Sequence, residues 1–327
     1  MSTPQYIRKA SLIVGDAQGN GLDLSELRFA FSIRRGDLQT PNTADIRVYN
    51  ASQQTADRIR QLMPSPEFTR VVIQAGYDGN YGVIFDGTIK QVRKGRESQL
   101  DTYLDITAAD GDSAYNFAVS ALSLAAGSTP ADHVAAVLQG MAQYGITQGY
   151  APELQGNPLP RGKVIFGMSR NEMRKIAKNT NTAWSIQDGK LDLVPLTAYK
   201  PGEIPVITAA TGMVGLPEQT QDGIRLKTLL NPNIKIGQAV KLDNESIQRY
   251  RYNLSISQSA NNAMIAASNK TNDDGLYYVM VADHQGDTRG NAWFTELTCL
   301  AIDATIPPSY LQRTGVNNDI GPVRQYG

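Results

Sequence analysis

The chain has 327 residues, of which 41% are hydrophobic and 19% are charged, which is enough for two or three domains with packed cores. Its 31 lysines and arginines balance its 31 aspartates and glutamates. Nucleic-acid-binding and membrane-surface proteins normally carry a basic excess, so the composition argues against both classes. The single cysteine, Cys299, excludes an internal disulfide.

The sequence contains no segment with the properties of a membrane span or a secretion signal. No stretch approaches the ~20 apolar residues that a transmembrane helix needs. The N-terminal residues, MSTPQYIRKASLIVGD, lack an apolar run of signal-peptide length. We therefore expect a protein that is made and folds in the cytoplasm and does not insert directly into a membrane.

Residues 1–109 are predicted to form a β-rich first domain. Apolar and polar residues alternate cleanly over residues 27–33, which is the period of a strand with one buried face. One helix is predicted over residues 51–63, capped by Asn50 and ended before Pro64. Further strands are predicted at residues 6–14, 44–48, 70–77, 82–85, 88–93 and 100–108.

Residues 110–200 are predicted to form a small α+β domain. Thr129 is suited to cap a helix, because a proline and an acid follow it in the first turn. Ser169 and Glu172 have the spacing of a capping box at a second helix. The dipeptide Asp188-Gly189 lies between two alternating runs, which is the strongest short hairpin signal.

Residues 201–305 are predicted to return to β structure. Residues 224–230 alternate like a strand, Asn231-Pro232-Asn233 then breaks the chain, and a second strand is predicted over residues 236–242. Two later strands flank the polar segment HQGDTRGN. These strands are predicted at residues 277–283 and 293–302, a long polar interruption covers residues 244–274, and residues 306–327 are predicted to be an extended tail.

As a whole, the chain is predicted to be mainly β with an inserted α+β domain. Residues 89–110 and 279–303 share one plan, a strand, a polar turn and an alternating strand. From the pattern alone, duplication and chance similarity explain this weak repeat equally well. We expect two barrels of like topology, each with its own sheet. The predicted domains are residues 1–109, 110–200 and 201–305, followed by the tail.

Three stretches resemble the baseplate hub proteins of contractile-tailed phages. In that family a segment like DGIRLKTLLNPNIKIGQAVKLDN, here residues 222–244, precedes one like ADHQGDTRGNAWFTELTCLAID, here residues 282–303. The earlier stretch VVIQAGYDGNYGVIFDGTIKQV, residues 71–92, is similar to the first barrel of such hubs. These stretches are structural motifs and carry no catalytic signature.

The resemblance implies a fold with two related, tail-tube-like β-barrels per chain and a structural role in the virion. It implies a homotrimer in the tail baseplate, whose six barrels match the six-fold tail tube while its three chains match the central spike. The implied partners are the tail-tube protein and the spike protein, with wedge, sheath and tape measure proteins as further neighbours. DNA would be passing cargo only.

The residues that could carry chemistry do not form a recognisable site. His133 is placed in the first turn of a helix and His284 in a hairpin loop beside Asp283 and Asp287, where a turn network is the expected role. Neither histidine has a His or Cys neighbour at ligand spacing. Asp110 and Asp112 are expected to cap or to brace turns. We therefore predict no catalytic, cofactor-binding or metal-binding residue and no cofactor.

Two other functional classes remain open from the sequence. One is a hub or tail-tip component of a noncontractile tail, a phage-like bacteriocin or a type VI-like injector, because such proteins share the barrel. The other is a tail-associated cell-wall hydrolase, which would need an acid pair or metal site. Cys299 is expected to be buried on the same strand face as Trp293 and Leu297, because these residues recur at even spacing.

Overall fold

A computed structural model describes residues 7–15, 21–62, 70–220, 223–243, 247 and 275–301, without the side chains of residues 60–62. The predicted polar interruption at residues 244–274, except for Ile247, and the predicted tail at residues 306–327 lie outside this description. The described chain is mostly β, as predicted, with an α+β unit between two sets of strands.

The first set contains seven strands and one helix. The burial of side chains along β3 alternates, so Phe29, Phe31 and Ile33 face inward and the residues between them are more exposed. The predicted strands at residues 82–85 and 88–93 are one long strand. The elements are β1 (Arg8–Gly15), β2 (Gly21–Asp23), β3 (Phe29–Gly36), β4 (Asn42–Tyr49), α1 (Gln53–Leu62), β5 (Arg70–Tyr77), β6 (Asn80–Arg96) and β7 (Thr102–Asp110).

This first set must curl. Its strand order is β3-β4-β7-β6-β5-β1-β2, so β2 and β3 lie at opposite ends although they are consecutive in the chain. Seven flat strands would span roughly 29 Å at ~4.8 Å per strand, whereas the six Cα steps from Asp23 to Phe29 reach at most about 20 Å. The connection therefore bends the sheet toward a barrel.

The predicted cap of α1 is wrong. Asn50 has a φ of 54°, and its side-chain oxygen accepts the Thr102 amide at 2.9 Å. The helix begins two residues later, where Ser52 Oγ accepts the Thr55 amide at 3.1 Å. An asparagine adopts the left-handed region more easily than most residues, which explains its use in the preceding bend.

The inserted unit packs three helices against two small sheets. Thr129 caps its helix as predicted, and Asp132 completes a capping box with it. The capping box predicted at Ser169 and Glu172 is wrong, because that helix has no side-chain cap and Ser169 Oγ bonds Ser120 Oγ at 2.8 Å inside the unit. The elements are α2 (Asp112–Phe117), β8 (Val119–Leu124), α3 (Pro130–Ala142), β9 (Thr147–Gln148), β10 (Lys163–Met168), α4 (Ser169–Asn179), β11 (Thr182–Gln187) and β12 (Lys190–Pro195).

The second set contains six strands. Asn231 Oδ1 accepts the Asn233 amide at 2.9 Å, which forms the predicted turn. The next strand starts at residue 239 and not at 236, because Gly237 has a φ of 85° and the chain is still turning there. The elements are β13 (Val206–Ile207), a 3₁₀ turn (Ala209–Thr211), β14 (Met213–Thr220), β15 (Gly223–Leu229), β16 (Ala239–Leu242), β17 (Leu276–Asp287) and β18 (Trp293–Ala301).

The two sets repeat one strand order. The run β3-β4-β7-β6-β5-β1 in the first corresponds to β14-β15-β18-β17-β16-β13 in the second, in both sheet order and chain order. The pairing of β6 with β7 shifts register between Ile89 and Gln91, and that of β17 with β18 shifts between Val279 and Val281. One difference remains, since β13 pairs parallel to β16 while β1 pairs antiparallel to β5.

The expectation of two separate sheets is wrong. All strands of both sets belong to one 13-stranded sheet, because β17 pairs antiparallel with β3 from Val281–Gly36 to Asp287–Ala30. Within the described residues, neither set is closed by a ladder of its own. The reason is that β17 is longer than its neighbour β16, so β16 pairs with only the first part of one edge of β17. The rest of that edge pairs with β3.

Each unit has an apolar core, and two residues of the second set, Leu230 and Trp293, pack in the core of the first. That core also contains Phe29, Ile46 and Ile73. The inserted unit packs Trp184 against Tyr115 with ring centroids 5.3 Å apart. The second set has a separate core. Its members include Leu226, Val240, Tyr277, Leu297 and Cys299.

Candidate functional site

The two strand sets and the inserted unit meet in a network of polar contacts, which we call the joint. One part of it is the antiparallel ladder between β3 and β17, which we call the seam. At one end of the seam, Arg28 bonds Asp287 at 2.7 Å, and in its middle Arg34 lies 3.9 Å from Asp283. The seam therefore combines a backbone ladder with ion pairs between the two strand sets.

A buried arginine ties the first set to the inserted unit. The side chain of Arg35 is only 5% exposed, and its guanidinium donates to the carbonyl oxygen of Ile84 at 3.0 Å. It also donates to Gln187 Oε1 at 3.2 Å and to Asp188 Oδ2 at 2.8 Å. A buried arginine requires such partners, because an unpaired buried charge is very costly.

Asp110 braces the hairpin turn at the tip of the inserted unit. Asp188 and Gly189 have φ values of 53° and 73°, as a type I′ turn requires. The Asp110 carboxylate accepts the Asp188 amide at 2.6 Å and the Gly189 amide at 3.0 Å. Burial, followed by the nearby Asp188 charge, raises the pKa of Asp110 to about 7.

Two amide side chains complete this polar cluster. Asn42 Nδ2 donates to Gln187 Oε1 at 3.0 Å and to the Ile186 carbonyl at 3.1 Å, while its Oδ1 accepts the Gly36 amide at 3.0 Å. Gln187 Nε2 donates to the Gly36 carbonyl at 2.9 Å. These bonds satisfy backbone groups where the inserted unit leaves the first sheet, so they fix the position of the hairpin on the sheet.

The second strand set also contacts the inserted unit. Tyr278 and Met280 on β17 pack in a small apolar cluster with Val194, and the Tyr278 hydroxyl donates to Asp37. Lys235 Nζ crosses to the first set and donates to the Val83 carbonyl at 2.9 Å. The joint thus connects all three units through direct contacts.

The arrangement favours positioning over chemistry. The carboxylate of Asp110 is engaged with backbone amides, and the Arg35 guanidinium is inaccessible to a substrate. Over the described ranges, no three His, Cys, Asp or Glu side chains are grouped so that they could hold a metal ion. None of the helices in those ranges is long and apolar enough to cross a membrane.

The prediction that His284 lies in a hairpin loop is wrong. His284 is buried in β17, and its Nδ1 lies 2.8 Å from Thr295 Oγ1 on β18. Burial lowers its pKa to about 3. Asp287 provides the turn contact instead, since its Oδ1 accepts the Arg289 amide at 2.9 Å.

The other residues singled out from the sequence lie apart from one another. His133 is mostly buried on α3, with Nε2 4.0 Å from Glu172 Oε2, and burial lowers its pKa. Asp112 pairs with Lys90 at 2.7 Å. Cys299 is buried on the same face of β18 as Trp293 and Leu297, as predicted, and burial raises its pKa to about 12.

The sequence predicts that arginines such as Arg34 and Arg35 serve mainly in interfaces between chains or barrels, but it does not mark Asn42 or Gln187 as members of the joint. A signal for Arg35 was present, because it continues the inward positions of Phe29 and Ile33 along β3. A charged residue at an inward strand position is rarely solvated, so it indicates a buried partner. No comparable local signal marks Asn42 or Gln187.

The chain matches a known protein family in sequence and solved tail proteins in fold. Residues 12–247 match the family model described as baseplate hub gp41. The 43 kDa tail protein of prophage MuSo2 from Shewanella oneidensis is 9% identical, with a TM-score of 0.55 over 91% of this chain and 100% of its own. The tail protein from Neisseria meningitidis MC58 is 12% identical, with a TM-score of 0.55 over 92% and 99% of the two chains.

A further similar structure comes from a secretion machine. The E. coli c3393 protein, a type VI secretion component similar in structure to the T4 tail proteins gp27 and gp5, is 8% identical. Its TM-score is 0.50 over 89% of this chain and 77% of its own. At such identities, these likenesses establish a shared fold. A search of curated proteins gives no match.

Proposed function

The chain belongs to the baseplate hub gp41 family, and on this premise we propose that it is the hub that joins the tail tube of a contractile phage tail to the central spike. A role as a phage tail structural protein follows from the family itself. The contractile machine, the trimer and the change from six-fold to three-fold symmetry are the proposed part.

The observation that carries the proposal is the joined pair of strand sets. Two sets with one strand order lie side by side and share the ladder between β3 and β17. Three chains would present six similar strand sets to a six-fold tube and three repeats to a spike. A closed ring of this kind needs head-to-tail contacts that repeat around one axis.

The polar joint suits a protein that transmits mechanical force between its neighbours in the tail. Arg35, Asp110 and Asn42 connect the inserted unit to the first strand set through buried and partly buried hydrogen bonds. We infer that the inserted unit lies outside the ring, where it faces wedge or sheath proteins. The zero net charge suits a channel that lets DNA pass, because binding to many phosphates would slow its transit.

Copy number in assembled tails tests this function. Tails would be purified, and this chain would be quantified by mass spectrometry against the spike protein and the tube protein. We expect three copies per tail, at the junction of tube and spike in a reconstruction of the tail tip. Six copies, or a position away from that junction, would refute the proposal.

A second candidate is the hub of a type VI-like injector. The likeness to the E. coli type VI component, with a TM-score of 0.50, favours it. A sheathed particle that carries a capsid would favour the phage tail, and a sheathed particle without one would favour an injector. A tail-associated hydrolase is the third candidate, and release of soluble fragments from peptidoglycan by the purified chain would support it.

A further inference from the structure

The inserted unit exposes an apolar sheet face, which we call the β8–β10 face. It consists of outward residues of two strands, which are paired across the ladder as Val164–Ser123, Phe166–Ala121 and Met168–Val119. Opposed residues of an antiparallel pair point to the same side of the sheet. Val164 is 82% exposed and Phe166 is 83% exposed, so this side presents large apolar side chains to solvent.

The other side of the same two strands is already covered. Ile165 is buried, and β8 and β10 pack against α3 and α4 there. A sheet that is covered on one side normally alternates apolar with polar residues, whereas apolar residues on both sides are typical of strands that are covered twice. Ser123 is the single polar residue of the β8–β10 face. The pattern therefore indicates that something else covers this face.

Cations border the β8–β10 face. Lys163 is the first residue of β10, and Arg161, two positions earlier, is exposed. Arg170 lies in the first turn of α4 and donates to Asn116 Oδ1 at 3.2 Å. The next residue in the chain is Phe117, which is exposed and continues the apolar surface. A positive border thus surrounds an apolar centre.

The acids near this border are engaged within the chain. Neither β8 nor β10 contains an acidic residue. Asp112 on α2 pairs with Lys90 at 2.7 Å. Glu172 on α4 is buried and pairs with Lys175 at 2.5 Å. A surface that complements the β8–β10 face is therefore apolar in its middle and acidic beside it.

We propose that the β8–β10 face binds an amphipathic segment of another tail protein, in which aspartates or glutamates flank apolar side chains. This inference rests on the hub function proposed above, in which the inserted unit faces other tail proteins, and it names the surface of that contact. Val164 and Phe166 would be covered by the apolar side chains, and Lys163 and Arg170 would pair with the acids. Many protein interfaces combine an apolar centre with a polar border in this way.

Charge favours this occupant over two others. A second copy of the chain would bring the same cations against the border, and like charges weaken association. Residues 302–327 of this chain carry two aspartates and two arginines, so they do not complement a positive border. An anionic lipid surface would match the charge, but the proposed hub lies between tube and spike, where proteins surround it.

Zero-length cross-linking of purified tails tests the charge pairing. A carbodiimide joins a lysine amine directly to a carboxylate, so a product at Lys163 identifies an acid in contact with it. Mass spectrometry of digested tails should show Lys163 linked to an acid in an apolar stretch of a different tail protein. Lys190 is the control, because it is exposed on the three-stranded sheet of the same unit and should not be linked to that stretch. A link from Lys163 to a second copy, or to Asp303 or Asp319, would refute the proposed occupant.

Substitution of an exposed phenylalanine tests the apolar centre. Phe166→Ser should lower the yield of assembled tails about tenfold and remove the Lys163 link, because central aromatic contacts dominate binding. The control is Leu100→Ser, because Leu100 is 90% exposed on the first strand set, and its yield should stay within about twofold of the natural chain. Both purified variants should keep the thermal denaturation midpoint of the natural chain. Equal yields of the two variants would refute a role for the apolar centre.

Charge reversal gives a readout that keeps the apolar centre. Lys163→Glu should lower the yield about fivefold, because it sets an acid against the acids of the partner, whereas Lys190→Glu should leave it unchanged. If Phe166→Ser fails to fold, this comparison decides, and equal yields of the two lysine variants refute the contact. Binding of the purified chain to phosphatidylglycerol vesicles that is lost in Lys163→Glu would assign the face to lipid and would also refute the proposal.

The contact and the hub function fail in different ways. Tails with three copies of this chain, normal yields for Phe166→Ser and Lys163→Glu, and no link from Lys163 to another tail protein would refute the docking surface and leave the hub function standing. A copy number other than three, counted in the same tails, would refute the hub function instead.

Discussion

Replacement of Arg35 by methionine should destabilise the joint strongly. The substitution removes the donors to the Ile84 carbonyl and to the carboxylate of Asp188. Loss of one partner of a buried pair typically costs about 3–5 kcal/mol. Because the Asp188 side chain is 31% exposed, water can solvate it in part, and we expect about 3 kcal/mol.

The neighbouring residue is a matched control. Arg34 lies on the same strand, but its side chain is 69% exposed and 3.9 Å from Asp283. An exposed ion pair contributes about 0–1 kcal/mol, so Arg34→Met should be nearly neutral. The two variants remove the same charge from adjacent positions, and burial is the main difference between them.

The two tryptophans allow two of the three units to be followed separately. Trp184 lies in the core of the inserted unit and Trp293, on β18, lies in that of the first strand set. Urea unfolding of the Trp184→Phe and Trp293→Phe backgrounds would report these two units by fluorescence. Arg35→Met should lower the urea midpoints of both units and separate them, because the units lose the hydrogen bonds that Arg35 makes between them. Equal effects of Arg35→Met and Arg34→Met would refute the reasoning.

Three further predictions concern single buried or strained positions. Cys299 should resist a thiol reagent in the native protein and react on unfolding, and Cys299→Asp should cost at least about 3 kcal/mol; rapid native labelling would contradict its burial. Burial lowers the pKa of His284 from 6.5 to about 3. The neutral imidazole therefore makes its full contribution to folding stability above pH 6.5, and we expect roughly 4 kcal/mol of stability to be lost as the pH falls toward 3. His284→Gln should flatten this part of the stability profile, and an unchanged slope would exclude His284 as its source. Gly189→Ala should lower the free energy of unfolding by about 1 kcal/mol, because the backbone φ there is 73°. Gly111→Ala should lower it more, because the new Cβ would lie 2.8 Å from Ile186. Thermal denaturation measures both losses, and equal losses would count against a steric contribution at Gly111.

Local signals determined much of the secondary structure. The alternation in β3, the helix cap at Thr129 and the hairpin turn at Asp188-Gly189 depend on residues within a few positions of one another. Such patterns act through backbone sterics and through burial of one face, so the sequence alone predicts them. The mainly β class with an inserted α+β unit follows from the same patterns.

Prediction from the sequence fails where the residues around a position fit two local structures. Ser169 and Glu172 have capping-box spacing, but tertiary packing buried the serine hydroxyl against Ser120. His284 lies in a polar segment that looks like a loop, yet β17 extends through it because β3 and β18 cover its two edges. In both cases a partner distant in sequence set the outcome.

The seam and the polar joint were decided by tertiary structure. Val281 and Gly36 are paired although 245 positions separate them, and the register of a ladder between such distant strands leaves no mark in a local pattern. The same holds for Arg35, whose partners lie on β6 and on the hairpin of the inserted unit. By itself, the sequence determined which residues form strands and which faces they bury, because those properties are local. The folded chain decided which edges meet, because backbone hydrogen bonds are alike in every strand and only the packing of the three units selects among them.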